Sequence, residues 1–219
     1  MEYLKRSSST RVEDDPQIAS RVQEMLRTIR HEGEPAIKRY ARELDGWEDE
    51  FVLSDAKKKM LIDQVPEQTK SDLQFSLKQI NRFAEAQRAS LTEFEIQTEP
   101  GVVLGQRLVP IQTVGCYVPG GRYAHAASAL MSIATARVAG VSEIIACSPP
   151  RGSSIHPAVA YAMDLAGVNV ILEMGGVQAI ASMAFGLFGN PPVDMLVGPG
   201  NSYVALAKKM LFGEVGIDV

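Results

Sequence analysis

Val193-Asp194-Met195-Leu196-Val197-Gly198-Pro199-Gly200-Asn201 is a short apolar run closed by a glycine-rich turn, and an amphipathic pattern follows it. Two other loops repeat this arrangement, Cys116-Tyr117-Val118-Pro119-Gly120-Gly121 and Gly175-Gly176-Val177-Gln178. Each follows an apolar run and precedes a helical one, so a parallel sheet would collect all three on one edge. In open α/β sheets ligands bind beyond the carboxyl ends of the strands, where glycines let backbone amides approach a phosphate or ribose. The loops point to a nucleotide cofactor.

Working outward, apolar strands begin near residues 113, 142, 168 and 193, and the helical patterns between them end at Gly140, Gly167 and Gly186 or Gly189. This spacing is close to the roughly 30 residues of a βαβ unit. Short apolar strands alternating with helices predict a parallel sheet with right-handed crossovers. Upstream the chain reads as helical. One helix starts at Asp15-Pro16 with Ile18, Val22, Leu26 and Ile29 on one face and stops at Gly33; a second runs from Pro35 to near Gly46. Ser54 caps a third segment, and residues 66–91 supply a long amphipathic run. Phe94, Ile96 and Val102 to Leu104 around Glu99-Pro100-Gly101 predict a β-hairpin. The expected class is α/β: residues 1–112 form a helical N-terminal lobe with a hairpin, part of an incomplete first domain, and residues 113–219 an incomplete Rossmann-like parallel-sheet domain.

Composition narrows the partners. Of 219 residues 46% are hydrophobic and 22% charged, close to the globular average, and the net charge of -4 gives no basic footprint for nucleic acid or an anionic membrane. No apolar run approaches the roughly 20 residues of a membrane span, and Met1-Glu2-Tyr3-Leu4-Lys5-Arg6 lacks the apolar core of a signal peptide. Cys116 and Cys147 lack CxxC spacing and read as reduced core thiols, which suits a cytoplasmic protein.

The usual dinucleotide fingerprint GxGxxG is missing, because Gly198-Pro199-Gly200-Asn201-Ser202-Tyr203 has no third glycine and no acidic residue follows at a ribose position. Asn201 stands where a helix should start, so its amide either caps that helix or bonds a ligand. Gln178, just beyond paired glycines, either reaches the same crevice or is solvated. The Tyr117 ring could stack on a base or cover the sheet edge. Arg122 and His125, before the next helix, could hold an anion or lie in a solvated loop. His31 falls at a helix C-terminus and His156 before Pro157; neither has the i, i+4 partner of a helical zinc pair, so no metal site is expected within the chain. A Cys116 thiohemiacetal would need an activated thiolate, and no neighbouring base is visible. Glu143 and Asp194 begin strands on the opposite edge, while Glu173 and Asp164 read as solvated. No catalytic residue is assigned.

The series Tyr117-Val118-Pro119-Gly120-Gly121, Ala136-Arg137-Val138-Ala139-Gly140-Val141, Gly175-Gly176-Val177-Gln178-Ala179-Ile180, the 193–201 run and Phe212-Gly213-Glu214-Val215-Gly216-Ile217-Asp218 resembles the histidinol dehydrogenase family, several motifs in order. Gly121-Arg122-Tyr123 is more similar to the sulfopropanediol-oxidising branch than to the histidine-pathway enzyme. The resemblance implies an aldehyde dehydrogenase-like superfamily fold, a homodimer, and zinc-dependent oxidation of an alcohol through an aldehyde to an acid by two NAD molecules. It implies NAD contacts at Tyr117, Gln178 and Asn201. Family members are about twice as long and carry their zinc ligands and proton-transfer residues later, so the chain is expected to be an N-terminal, NAD-binding half, inactive alone. The alternative is a noncatalytic NAD-binding or assembly module working with a separate chain.

Overall fold

The computed structural model describes residues 16–120 and 124–218. Eight helices and seven strands are found among them: α1 (Pro16–Glu32), α2 (Glu34–Asp45), α3 (Asp55–Asp63), α4 (Glu67–Ala89), β1 (Phe94–Glu99), β2 (Val102–Gln106), β3 (Thr113–Tyr117), α5 (Ala126–Ala139), β4 (Glu143–Ser148), α6 (Pro157–Leu165), β5 (Val170–Glu173), α7 (Gly176–Phe185), β6 (Met195–Val197), α8 (Ser202–Leu211) and β7 (Gly216–Ile217). The helix starts behave as their sequence suggests. Pro16 opens α1, the Ser54 side chain accepts from the Lys57 N–H, and His156 Nδ1 accepts from the Ala158 N–H to begin α6.

Five strands form one sheet in the order β5-β4-β3-β6-β7, every neighbouring pair parallel. The sequence predicted four of them. β7 escaped because two residues carry no periodicity; it pairs Gly216 with Met195 and Ile217 with Leu196. Successive residues of the inner strands face opposite sides, so Ile145, Cys147, Leu172 and Leu196 join one core layer while Val114, Cys116, Ile144, Ala146 and Ile171 join the other. α7 and α8 cover the first face, with α1 and α2 packed on them; α5 and α6 cover the second, with α3 and α4. Arg30 of α1 makes a two-pronged ion pair with Glu214 just before β7, at 2.7 and 2.5 Å, and lies 4.3 Å over the Phe185 ring. Both charges are half exposed, so this contact orients α1 more than it stabilises it.

In sequence order the first sheet strand, β3, sits centrally. The chain winds outward through β4 to β5, then crosses back to β6 beside β3. This is the order of a doubly wound nucleotide-binding half, whose topological switch point falls between its first and fourth strands. Here that crevice lies between the carboxyl ends of β3 and β6.

The β1-β2 hairpin formed as predicted, antiparallel from Phe94 opposite Gln106 to Glu99 opposite Val102. Every residue of both strands is exposed, including Phe94, Ile96, Val103 and Leu104. The described residues also contain no helix long and apolar enough to cross a membrane.

Candidate functional site

Tyr117 ties the three loops together. Its hydroxyl accepts from the Gly176 N–H at 3.2 Å, while its carbonyl oxygen is pressed against Gly198 so closely that a Cβ there would sit 2.1 Å away. Gly198 also has φ +113, a conformation that side-chain-bearing residues rarely adopt. The end of β3 is thus in contact with the loops after β5 and β6. Gly120 and Gly175 are small for a plainer reason, since a Cβ on either would strike Pro149, at 2.4 and 2.6 Å respectively. Their small size lets the β3 and β5 loops close around the Pro149 ring, a packing role the sequence alone does not separate from phosphate binding.

Tyr117 is buried, and burial, followed by the neighbouring Cys147, drives its phenol well above the usual range; it is a neutral donor and acceptor, not a base. Gln178 is also buried, at 2% exposure, which corrects the solvated reading. Its Nε2 donates to Asp45 Oδ2 at 2.7 Å, and its Oε1 accepts from no described residue. The orientation of the amide is forced, because a carboxylate can only accept. Half-burial raises the Asp45 carboxyl above its ordinary value, and the Gln178 N–H draws it partly back.

At the end of β6, Asn201 caps α8: its Oδ1 accepts from the Val204 N–H at 3.1 Å. Capping uses only the oxygen. Nδ2 is left without a partner among the described residues, and the Ser202 and Tyr203 amides face the helix N-terminus with no intrahelical acceptor. Asn201 is exposed, so the amide can serve both readings at once. Arg122 lies outside the described residues. His125 precedes α5, half-buried, and makes no capping bond.

Sequence reasoning missed two groups here. Lys208 is 7% exposed; its Nζ bonds the Gly198 carbonyl at 3.0 Å and pairs with Asp218 Oδ1, while Asp218 Oδ2 accepts from the Gly198 N–H at 2.7 Å. Both polar groups of the Gly198 peptide are thereby held. Nothing in the local sequence singles out Lys208, and only the position of β7 shows that it turns inward. Glu173 is the second group, and it is not solvated. At 1% exposure it receives Lys57 Nζ at 2.7 Å, the Ser154 hydroxyl, and the Ile155 N–H at 3.1 Å. Lys57 also lies 5.0 Å over the Trp47 ring, so the network fastens α3 and the 151–155 turn to the end of β5.

The remaining candidates are structural or inert. Asp194 Oδ2 accepts from the Gln112 and Thr113 amides at 3.0 and 2.8 Å, at the far edge of the sheet. Both cysteines are free and buried; burial, only partly offset by Ser132, pushes the Cys116 thiol up to about 12, which removes the thiolate that a thiohemiacetal requires. No three His, Cys, Asp or Glu side chains among the described residues are grouped to hold a metal ion. A cavity of about 820 Å³ runs between α4, residues 108–111 and α5 and reaches Gly198, Pro199 and Asp218. It is largely apolar and lies along the sheet face, touching the three loops only at Gly198 and Pro199.

Comparison with known proteins finds relatives of both the sequence and the fold. The family model for histidinol dehydrogenase matches residues 8–219. A histidinol dehydrogenase homolog of Ruegeria pomeroyi is 56% identical over 199 residues, covering 90% of this chain and 46% of that protein. The sulfopropanediol 3-dehydrogenase of the same organism is 47% identical over 220 residues, covering 100% of this chain and 51% of its own length. The crystal structure of histidinol dehydrogenase from Elizabethkingia anophelis superposes with a TM-score of 0.89 at 29% identity, covering 98% of this chain and 49% of that one. The chain spans about half the length of the curated relatives it matches.

Proposed function

The chain belongs to the histidinol dehydrogenase family, and on that premise we propose that it supplies the NAD-binding part of an enzyme that oxidises an alcohol through an aldehyde to a carboxylate. The observation that carries this reading is the switch point: loops from β3 and β6 flank it, Tyr117 links them to the β5 loop, and free donors remain on the β6 side. NAD, when bound, accepts the hydride. The chain's own residues would bind and orient it. Asn201 Nδ2 and the Ser202 and Tyr203 amides at the α8 N-terminus fit a pyrophosphate or carboxamide oxygen, and the orphaned Gln178 Oε1 fits a ligand donor. Lys208 and Asp218 keep the Gly198 peptide in place without occupying those donors. In this division the parallel-sheet domain that begins at residue 113 holds the dinucleotide.

Zinc does not fit the described residues, which bring together no ligand group. The greater identity to the sulfopropanediol dehydrogenase than to the Elizabethkingia histidinol dehydrogenase favours a small sulfonated diol over histidinol as the substrate class. A homodimer in the cytoplasm completes the reading, supported by the exposed apolar hairpin and the two free thiols.

Calorimetric titration of NAD into the chain tests the proposal. Saturable binding at one site is expected, weakened about tenfold, the value of one good hydrogen bond, in Asn201→Ser, which keeps the cap but lacks the amide donor. An absence of saturable binding by a cooperatively folded chain, or unchanged affinity in Asn201→Ser, contradicts it.

A further inference from the structure

A nucleotide site in a doubly wound sheet ordinarily places an acidic residue at the end of its second strand, where it bonds the adenosine ribose. That strand is β4, which runs out through Ser148-Pro149-Pro150-Arg151 with no acid. Among the described residues, Glu173, Asp218 and Asp45 bond to groups at that edge. Glu173 is consumed by Lys57, Ser154 and Ile155, and Asp218 by Lys208 and Gly198. Asp45, at the end of α2, keeps one oxygen free of any described partner and is exposed.

Its position is fixed from both sides. Trp47, two residues on and 4% exposed, is anchored in the core and its backbone N–H returns to the Ala41 carbonyl, while Gln178 Nε2 holds Asp45 Oδ2. Asp45, Gln178, Gly176 and Tyr117 therefore form a connected line across the ends of β5 and β3, the half of the crevice that takes adenosine in this strand order. The Gln178 amide that holds Asp45 also carries the buried, unpartnered Oε1. The two acceptors, with the Gln178 Nε2 donor already engaged by Asp45, complement the hydroxyls of a neutral vicinal diol. They repel a phosphate, which brings negative charge and no donors at neutral pH.

We infer that Asp45, delivered by α2 across 133 residues of chain from Gln178, is the ribose-reading residue that selects a dinucleotide with a free 2′-hydroxyl over its 2′-phosphorylated counterpart. This rests on the dinucleotide reading above. The competing feature on the same edge is Arg151, an exposed guanidinium at the end of β4 that would favour the phosphate.

The test is parallel calorimetry of NAD and NADP on the whole chain and on Asp45→Asn and Asp45→Ser, each checked for a cooperative unfolding transition so that at least one folded variant is read. The unsubstituted chain should prefer NAD by tenfold or more, on the order of one lost hydrogen bond plus like-charge repulsion. The substitutions should weaken NAD and bring the two affinities to within about threefold, a change of under 1 kcal/mol. A preference that survives in a folded variant, or NADP binding more tightly than NAD from the outset, overturns the inference while leaving the dinucleotide site standing. Binding of neither dinucleotide overturns both.

Discussion

Gly198→Ala is expected to lower the free energy of unfolding by about 4 kcal/mol, at the upper end of single substitutions. Two effects add. The backbone at φ +113 strains any residue with a Cβ, on the order of 1–3 kcal/mol. The new methyl would also meet the Tyr117 carbonyl at 2.1 Å, a backbone atom at the end of the central strand that no rotamer change can move. Relief requires β3 and β6 to part or the Gly198 N–H to leave Asp218, and overpacking of this kind adds a further 1–3 kcal/mol or so. Urea unfolding measures the loss. A change within about 0.5 kcal/mol, ordinary for a surface loop, would show that the close approach of β3 and β6 is wrong.

The second large effect is expected at Glu173. Replacing it by alanine removes the shared acceptor of three donors, two of which, the Ser154 hydroxyl and the Ile155 amide, are buried with nowhere else to go. Lys57 is a third exposed and can rehydrate. The loss is therefore dominated by the two stranded neutral donors and the emptied volume, about 3 kcal/mol in total. Glu173→Gln retains one acceptor oxygen for Ser154 and Ile155 and should lose less than Glu173→Ala. The two denaturation curves decide it: no loss in either variant would return Glu173 to the solvated role its sequence suggests, and equal losses would shift the weight to the Lys57 ion pair.

That contrast shows which parts of the molecule can be read from the chain and which cannot. Helix ends at Gly33, Gly46 and Gly140, the Ser54 cap, the hairpin and four sheet strands all follow from local spacing, because turn chemistry and apolar period are properties of neighbouring residues. Loops between those elements could likewise be assigned to one edge, since parallel strands leave no other place for them. Charged groups were harder. Glu173 reads as solvated and Lys208 carries no local signal, and only the 116-residue step to Lys57 and the return of β7 past α8 bury them. Asp45 and Gln178 meet for the same reason, through a contact between α2 and α7 that no periodicity announces. Asn201 was legible as a residue of two uses, and its oxygen takes the capping one.

The central claim is that the three loops around the switch point, and not the apolar cavity between α4 and α5, take up the dinucleotide. Hydrogen exchange of the backbone amides, read with and without saturating NAD, locates the ligand directly. Slowed exchange should be confined to residues 117–120, 175–178 and 198–203, with the Ser202 and Tyr203 amides, unbonded in the free chain, showing the largest change. Protection that appears instead along 84–91, 108–111 and 128–139, or nowhere at saturating NAD, would contradict the account.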